Sequence, residues 1–379
     1  MVNDATKIRI AVIFGGRSGE HEVSLMSARS VLAALDPSHY EIIQIGIASD
    51  GSWWMGEDIL QVLTAGQKPA TQVPVSILPD PTRPGLFNLH AQSSDPGLNS
   101  ILPFDVVFPV LHGSFGEDGT LQGVFEMADL AYVGGGVLGS ALGMDKAVFK
   151  DVMRANHIPV VEAIVVLRSE IDGQFEQVAE RAERVANYPL FVKPGNLGSS
   201  VGITKCMSRA DLLEGLIEAA RFDRKVLVER GLNAREIEVS VLGNDAPVAS
   251  VPGEILPSRE FYSYEAKYID GKSGLVIPAP LSAEQAERIR SVAVQAYRAI
   301  DCAGMARVDF LLEKNPSSGD GIYLSEINTI PGFTHISMYP KLWEASGLSY
   351  PALLDRLIEL ALERKADRDR TERHYKRET

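Results

Sequence analysis

The chain has 379 residues, 45% of them hydrophobic, and single cores stop growing near ~250 residues, so two or three packed domains are expected. A formal charge of −13 and a pI near 5.1 exclude a general nucleic-acid or anionic-membrane binder, so any anionic ligand must meet a local basic site. Cys206 and Cys302 lack CxxC or zinc spacing and read as reduced thiols suited to the cytoplasm, and no stretch approaches the ~18 apolar residues of a membrane helix.

The first strand is IRIAVIF, starting at Ile8; charges before it and glycines after it argue against a signal peptide. A helix over 20–35, strands EIIQIGI and FDVVFPVL, and helices over 120–128 and 140–156 predict a parallel α/β sheet. The polar, Pro-rich stretch over 64–100 reads as a surface excursion. From Ala163 the strands crowd together: AIVVL, PLFVK, VGITK, KVLVE, EIEVSVLG, PVASVPGEI, ARVDFLLE and GIYLSEIN. That spacing predicts antiparallel hairpins with fewer helices. Two further helices are expected over 282–300 and 350–364. The end, RKADRDRTERHYKRET, has almost nothing to bury and reads as a frayed tail.

Three glycine loops invite a ligand. FVKPGNLGSSVGITK lacks GK[ST] and runs into a strand, which argues against a P-loop; as a hairpin it offers the N–H groups of Gly198, Ser199 and Ser200 to an anion beside Lys193, or is simply a turn. FGGRSGEHEVSLMS has Phe14 where a GxGxxG fingerprint needs its first glycine, which counts against a nicotinamide-dependent oxidoreductase. Glu20 there either faces a ligand or complements the helix dipole. LHGSFGEDGTLQG likewise opens a helix, with His112 facing a ligand or filling a turn.

The strongest constellation is the hairpin ARVDFLLE–GIYLSEIN. If Glu313 faces Ile322, then Asp309 falls opposite Glu326 and Arg307 opposite Asn328 on one face, with Val308, Phe310, Leu312 and Ile327 on the core face. Two carboxylates at roughly 4 Å repel by about 4 kcal/mol at an effective dielectric near 20, and a hard divalent ion held by Asp309, Glu326 and the Asn328 carbonyl relieves this, Mg²⁺ fitting best. ILPSREFYSYEAKYIDGKSGLVI, over 255–277, has the length of a lid and carries Tyr264, Lys267 and Tyr268.

Together with GSALGMDKAVFK, VLVERGLNAREIEVSVLG, FYSYEAKY and EINTIPGFTHISMYPKLWEASG, these motifs make the chain resemble the D-alanine:D-alanine ligases of the ATP-grasp superfamily from about Ile8 to Pro351. The resemblance implies an α/β N-terminal domain with a parallel sheet (1–135), then α+β ATP-grasp central (136–230) and C-terminal (231–365) domains, before a charged tail (366–379). It implies ATP and Mg²⁺ or Mn²⁺, two ions with Glu326 shared, D-alanine as substrate, a homodimer, and no nucleic-acid or membrane partner. Residue by residue, it places Lys146 and Lys193 on the phosphates beneath a flap carrying Ser199 and Ser200. Glu229 and the Arg230 to Leu232 backbone fall on adenine, and Glu236 on ribose. Glu20 falls on the first ammonium, linked to Ser199 and Tyr268, and His112 lies near the first carboxylate. Lys267 and Arg307 fall on the moving phosphoryl group, Arg307 and the Gly332 N–H on the oxyanion, and Ser337 with the Met338 backbone on the second carboxylate. Tyr268, where ester-forming relatives carry histidine, implies an amine acceptor; Ser263 replaces a frequent aspartate. Other ATP-grasp ligases, including ones using D-serine or D-lactate, and a non-catalytic nucleotide-binding module are the competing readings.

Overall fold

A computed structural model describes residues 7–89, 100–198, 201–256, 274–316, 320–334 and 336–373. Ser199, Ser200, Tyr264, Lys267 and Tyr268, with the rest of the expected lid from 257 to 273, lie outside the described residues.

Among the described residues the strands form three sheets. The first contains β1 (Ile8–Gly15), β2 (Tyr40–Ile47), β3 (Trp53–Met55), β4 (Val73–Ile77), β5 (Leu86–Asn88), β6 (Ser100–Leu102) and β7 (Val106–Val110), in the order β6-β5-β4-β3-β2-β1-β7. Only β2, β1 and β7 run parallel; the other pairings are antiparallel, so the expected parallel sheet is a mixed one. The Pro-rich stretch is no surface excursion, because it supplies β4, β5 and β6. Its alternating Val75 and Ile77 and its Leu86 are buried in the sheet's own core, Phe87 is buried as well, and of the described prolines in the stretch only Pro74 lies within a strand. Helices α1 (His21–Ala34) and α2 (Ile59–Thr64) lie between these strands, and α3 (Thr120–Met127) follows β7.

The expected single helix over 140–156 is two, α4 (Val137–Met144) and α5 (Lys146–Ala155). Asp145 between them is extended (φ −82°, ψ 94°) and caps α5 by accepting from the N–H groups of Ala147 and Val148. This break puts Lys146 on the first turn of α5.

The second sheet is antiparallel, in the order β10-β9-β11-β8: β8 (Ala163–Leu167), β9 (Leu190–Pro194), β10 (Thr204–Cys206) and β11 (Lys225–Arg230). Its hairpin β9–β10 pairs Val192 with Thr204, which makes the glycine loop a hairpin connection. The expectation of few helices fails here. α6 (Arg168–Gly173), α7 (Phe175–Glu183) and α8 (Arg209–Phe222) cover the sheet, burying Val178 with Ala182 and Leu212 with Leu216 at the four-residue helical spacing.

The third sheet is also antiparallel. It runs β15-β14-β12-β16-β17, with β13 beside β12: β12 (Ala234–Leu242), β13 (Val248–Ala249), β14 (Gly253–Leu256), β15 (Gly274–Val276), β16 (Met305–Glu313) and β17 (Ile322–Asn328). α9 (Ala283–Ala299), opened by a Ser282/Gln285 capping box, packs on it; Phe149 and Met153 of α5 share that core. After it come α10 (Met338–Ala345) and α11 (Tyr350–Arg368). Leu353, Leu354, Leu357 and Ile358 of α11 join the core of β1 and β7, so the last helix is bound to the first sheet.

The tail differs from expectation as well. α11 continues to Arg368 because its charges find partners. Arg364 stacks over the Tyr132 ring (4.2 Å) and donates to Gly134 O (2.5 Å), Arg368 pairs with Glu126 (2.6 Å), and Arg373 with Asp129 (3.2 Å).

Candidate active site

On β16 and β17 the structure pairs Arg307 with Asn328, Val308 with Ile327 and Asp309 with Glu326. The pairing expected at the other end does not occur: Ile322 faces Leu312 instead of Glu313, and a bulge beside Asp309/Phe310 absorbs the extra residue. Buried Ile322 and Leu324 are followed by buried Ile327, a spacing of two and then three, which is the sequence trace of that bulge. Across β12, Glu238 stands opposite Asp309, so Glu238, Asp309 and Glu326 form a row of carboxylates over three strands.

The chain itself supplies cations to this row. Arg307 grips Asp309 with two bonds (2.8 and 2.6 Å) and lies 3.0 Å from Glu238; Lys146 lies 3.9 Å from Glu326. Carboxylate repulsion therefore does not by itself demand a metal. Among the described residues no three His, Cys, Asp or Glu side chains gather as a metal cage. Asp309, Glu326 and Asn328, whose Nδ2 donates to Asp309 (3.1 Å), instead form a partial set of hard donors. Such a set suits an ion that takes its remaining ligands from phosphates and water.

A second charged group lies on the second sheet, around β9 and β11. Glu229 is 5% exposed and holds Lys193 at 2.5 Å and Lys150 at 2.9 Å. Burial alone would raise its pKa, but the two ammonium groups prevail and hold it at about 2. Lys146 also donates to Leu197 O (2.7 Å) at the base of the glycine loop. The Arg230 side chain is committed to Glu162 (2.7 Å) and Glu313 (3.0 Å), and it joins the second and third sheets. Leu232 follows in the turn before β12, and Glu236, half-buried on β12, faces Leu311.

The third group is formed by loops. Glu20 immediately precedes α1 without its side chain capping the helix, and is 9% exposed; a Cβ on Gly198 would lie 3.0 Å from its Oε2, so the base of the glycine loop packs on this carboxylate. Glu117, which sequence reasoning passed over, accepts from Gly113 N (2.9 Å), and burial followed by the charge of Glu20 pushes its pKa up to about 8.

His112 is buried, and burial drives its pKa down to about 4. Its Nδ1 lies 3.1 Å from Ile330 O and its Nε2 3.0 Å from Ser27 Oγ, which in turn accepts from Phe333 N (3.2 Å). One tautomer satisfies all three contacts: Nδ1–H donates to Ile330, and Ser27 O–H donates to Nε2. Both nitrogens are thus engaged by the protein, and His112 is a neutral strut for the loop that carries Gly332, not a cation facing solvent. In that loop a Cβ on Gly332 would come within 2.8 Å of Ser337 Oγ, which accepts from Thr334 N (3.0 Å); Met338 is buried behind it.

The strut predicts a pH dependence. A histidine whose pKa falls from 6.5 to about 4 on folding stabilises the fold fully above pH ~6.5, and the contribution, on the order of 3 kcal/mol, is lost as pH falls toward 4. In urea unfolding, His112→Gln should lose less stability between pH 7 and pH 4.5 than the parent; equal losses would contradict the neutral strut.

Lysines paired with buried carboxylates, a partial set of hard oxygen donors and the loop carboxylates Glu20 and Glu117 thus make up the candidate site. Two family profiles match the chain, "D-ala D-ala ligase N-terminus" over residues 9–135 and "D-ala D-ala ligase C-terminus" over residues 152–359. The chain belongs to the D-alanine–D-alanine ligase family. It is 53% identical over 364 residues to the D-alanine–D-alanine ligase of Heliobacterium modesticaldum and 50% identical over 364 residues to that of Natranaerobius thermophilus, each alignment covering 96% of this chain and 97% of the relative. Among solved structures, the D-alanine-D-alanine ligase from Coxiella burnetii shares its fold at a TM-score of 0.80, with 37% identity over 97% of both chains. A D-Ala:D-Ser ligase from Enterococcus faecalis does so at 0.82, with 36% identity over 94% of this chain and 99% of that one. D-alanine–D-alanine ligases use ATP and a divalent metal. No described helix of this family member is long and apolar enough to cross a membrane.

Proposed function

We infer that the chain joins two D-alanine molecules into D-alanyl-D-alanine, forming ADP and phosphate, for peptidoglycan precursor synthesis. Full-length likeness to D-alanine–D-alanine ligases at 53% and 50% identity carries this reading, and the 36% identity to the D-serine enzyme does not favour that acceptor.

The carboxylate of the first D-alanine attacks the γ-phosphate of ATP, and the amine of the second displaces phosphate from the resulting acyl phosphate. Lys146 and Lys193 meet the nucleotide phosphates, with Ser199 and Ser200 of the flap above them. Glu229 and the Arg230 to Leu232 backbone border adenine, and Glu236 binds ribose. Glu20 takes the first ammonium and is linked through Ser199 to Tyr268, while neutral His112 lines the first substrate's pocket. Arg307 and Lys267 offset charge on the moving phosphoryl group, Arg307 and the Gly332 N–H meet the tetrahedral oxyanion, and Ser337 with the Met338 backbone receives the second carboxylate. Asp309, Glu326 and Asn328 would hold Mg²⁺ or Mn²⁺, two ions sharing Glu326, which neutralises phosphate charge when bound. A lid over 255–277 excludes the water that would destroy an acyl phosphate.

The reading extends to units at 1–135, 136–230 and 231–365 in an ATP-grasp arrangement, a homodimer, and a cytoplasmic location. Tyr268 in the lid favours an amine acceptor. In acceptor profiling at neutral pH, D-alanine should be turned over well and D-lactate poorly; comparable turnover of both would remove this specificity.

A further inference from the structure

Lys150 is assigned no part in the reaction above, yet its position is unusual for a lysine. It lies four residues after Lys146, one turn along the same face of α5, and is only 3% exposed. Its Nζ donates to Val161 O (3.2 Å) and pairs with Glu229 Oε1 (2.9 Å), while Lys193 takes Glu229 Oε2 (2.5 Å). Burial draws the Lys150 ammonium below its ordinary pKa, against the pull of Glu229. Burying a second lysine beside one carboxylate is unfavourable unless the extra charge is needed.

The charge count shows what it does. Within this triad one carboxylate faces two ammonium groups, although Glu326 and Glu236 add negative charge near Lys193, and Lys193, with 17% of its side chain exposed against 4% for Lys150, is the member that can meet an incoming anion. Without Lys150 the remaining Lys193–Glu229 pair would be neutral, buried and short, and Lys193 would have to leave it to reach a phosphate. We propose that Lys150 is a positioning residue, which neutralises Glu229 so that the Lys193 ammonium stays available to the nucleotide phosphates. This rests on the placement of ATP phosphates at Lys193.

A double-mutant cycle in the full chain tests it, read as separate KM values for ATP and D-alanine. Lys150→Met should raise the KM for ATP by about tenfold or more, with the D-alanine KM unchanged, and Lys150→Arg should recover most of the loss. In a Glu229→Gln background the carboxylate that Lys150 neutralises is gone, so adding Lys150→Met should change the ATP KM by less than about twofold. A purely structural lysine predicts the same rise in both backgrounds, and that result, or an unchanged ATP KM in Lys150→Met alone, overturns the proposal. Should the methionine variant fail to fold, Lys150→Gln takes its place in the same cycle. D-alanine-dependent phosphate release by the parent chain, measured alongside, tests the ligase reading separately.

Discussion

Arg307→Lys should leave a folded protein whose kcat is lower by about 100- to 1,000-fold, the range seen when one preorganised oxyanion donor is removed. The structure separates the two effects. Arg307 holds Asp309 through two parallel bonds and lies 3.0 Å from Glu238, so removing its charge would take a buried cation away from two carboxylates, at about 3–5 kcal/mol of stability. Lysine keeps the charge and so most of that stability. It lacks the planar fork, however, and cannot hold Asp309 with two bonds and still direct a donor at the reacting oxygen. Thermal unfolding with steady-state kinetics on the same sample checks the split. An Arg307→Lys enzyme within a few-fold of the parent kcat would remove Arg307 from the chemistry.

Glu326→Ala has the next largest expected effect. Glu326 lies 3.9 Å from Lys146 and its carboxylate side chain is 29% exposed, so the loss of stability should be about 0–1 kcal/mol. Activity should fall by at least about 100-fold, and the Mg²⁺ concentration needed for half-maximal rate should rise. Because fold and function diverge so widely at this position, the substitution separates a metal ligand from a solvated surface charge. An unchanged Mg²⁺ titration curve would return Glu326 to the second role.

The Asp309/Glu326 pairing was legible because strand alternation is a strong local constraint, and the apolar face of Val308, Phe310 and Ile327 leaves one orientation for the carboxylates. The bulge was legible only in hindsight, from the shifted spacing of Ile322, Leu324 and Ile327. Helices α7 and α8 were missed because short apolar runs between closely spaced strands obscured their four-residue period. The strands β4 to β6 were hidden by prolines and polar residues at the edge of the first sheet. Lys150 carries no local signal at all: its meaning depends on Glu229, which comes from another element, and on burial that composition does not reveal. The roles of His112 and Arg230 likewise depend on partners remote in sequence. Backbone punctuation was more informative at Asp145, a helix-capping residue type that was read instead as the interior of one long helix.

The most direct test of the whole account is phosphate release from Mg-ATP with D-alanine, with L-alanine, and with neither, the product being identified by mass. The account predicts release that requires D-alanine and yields D-alanyl-D-alanine. Release that is indifferent to D-alanine, or ATP binding with no D-alanine-dependent turnover, would contradict it.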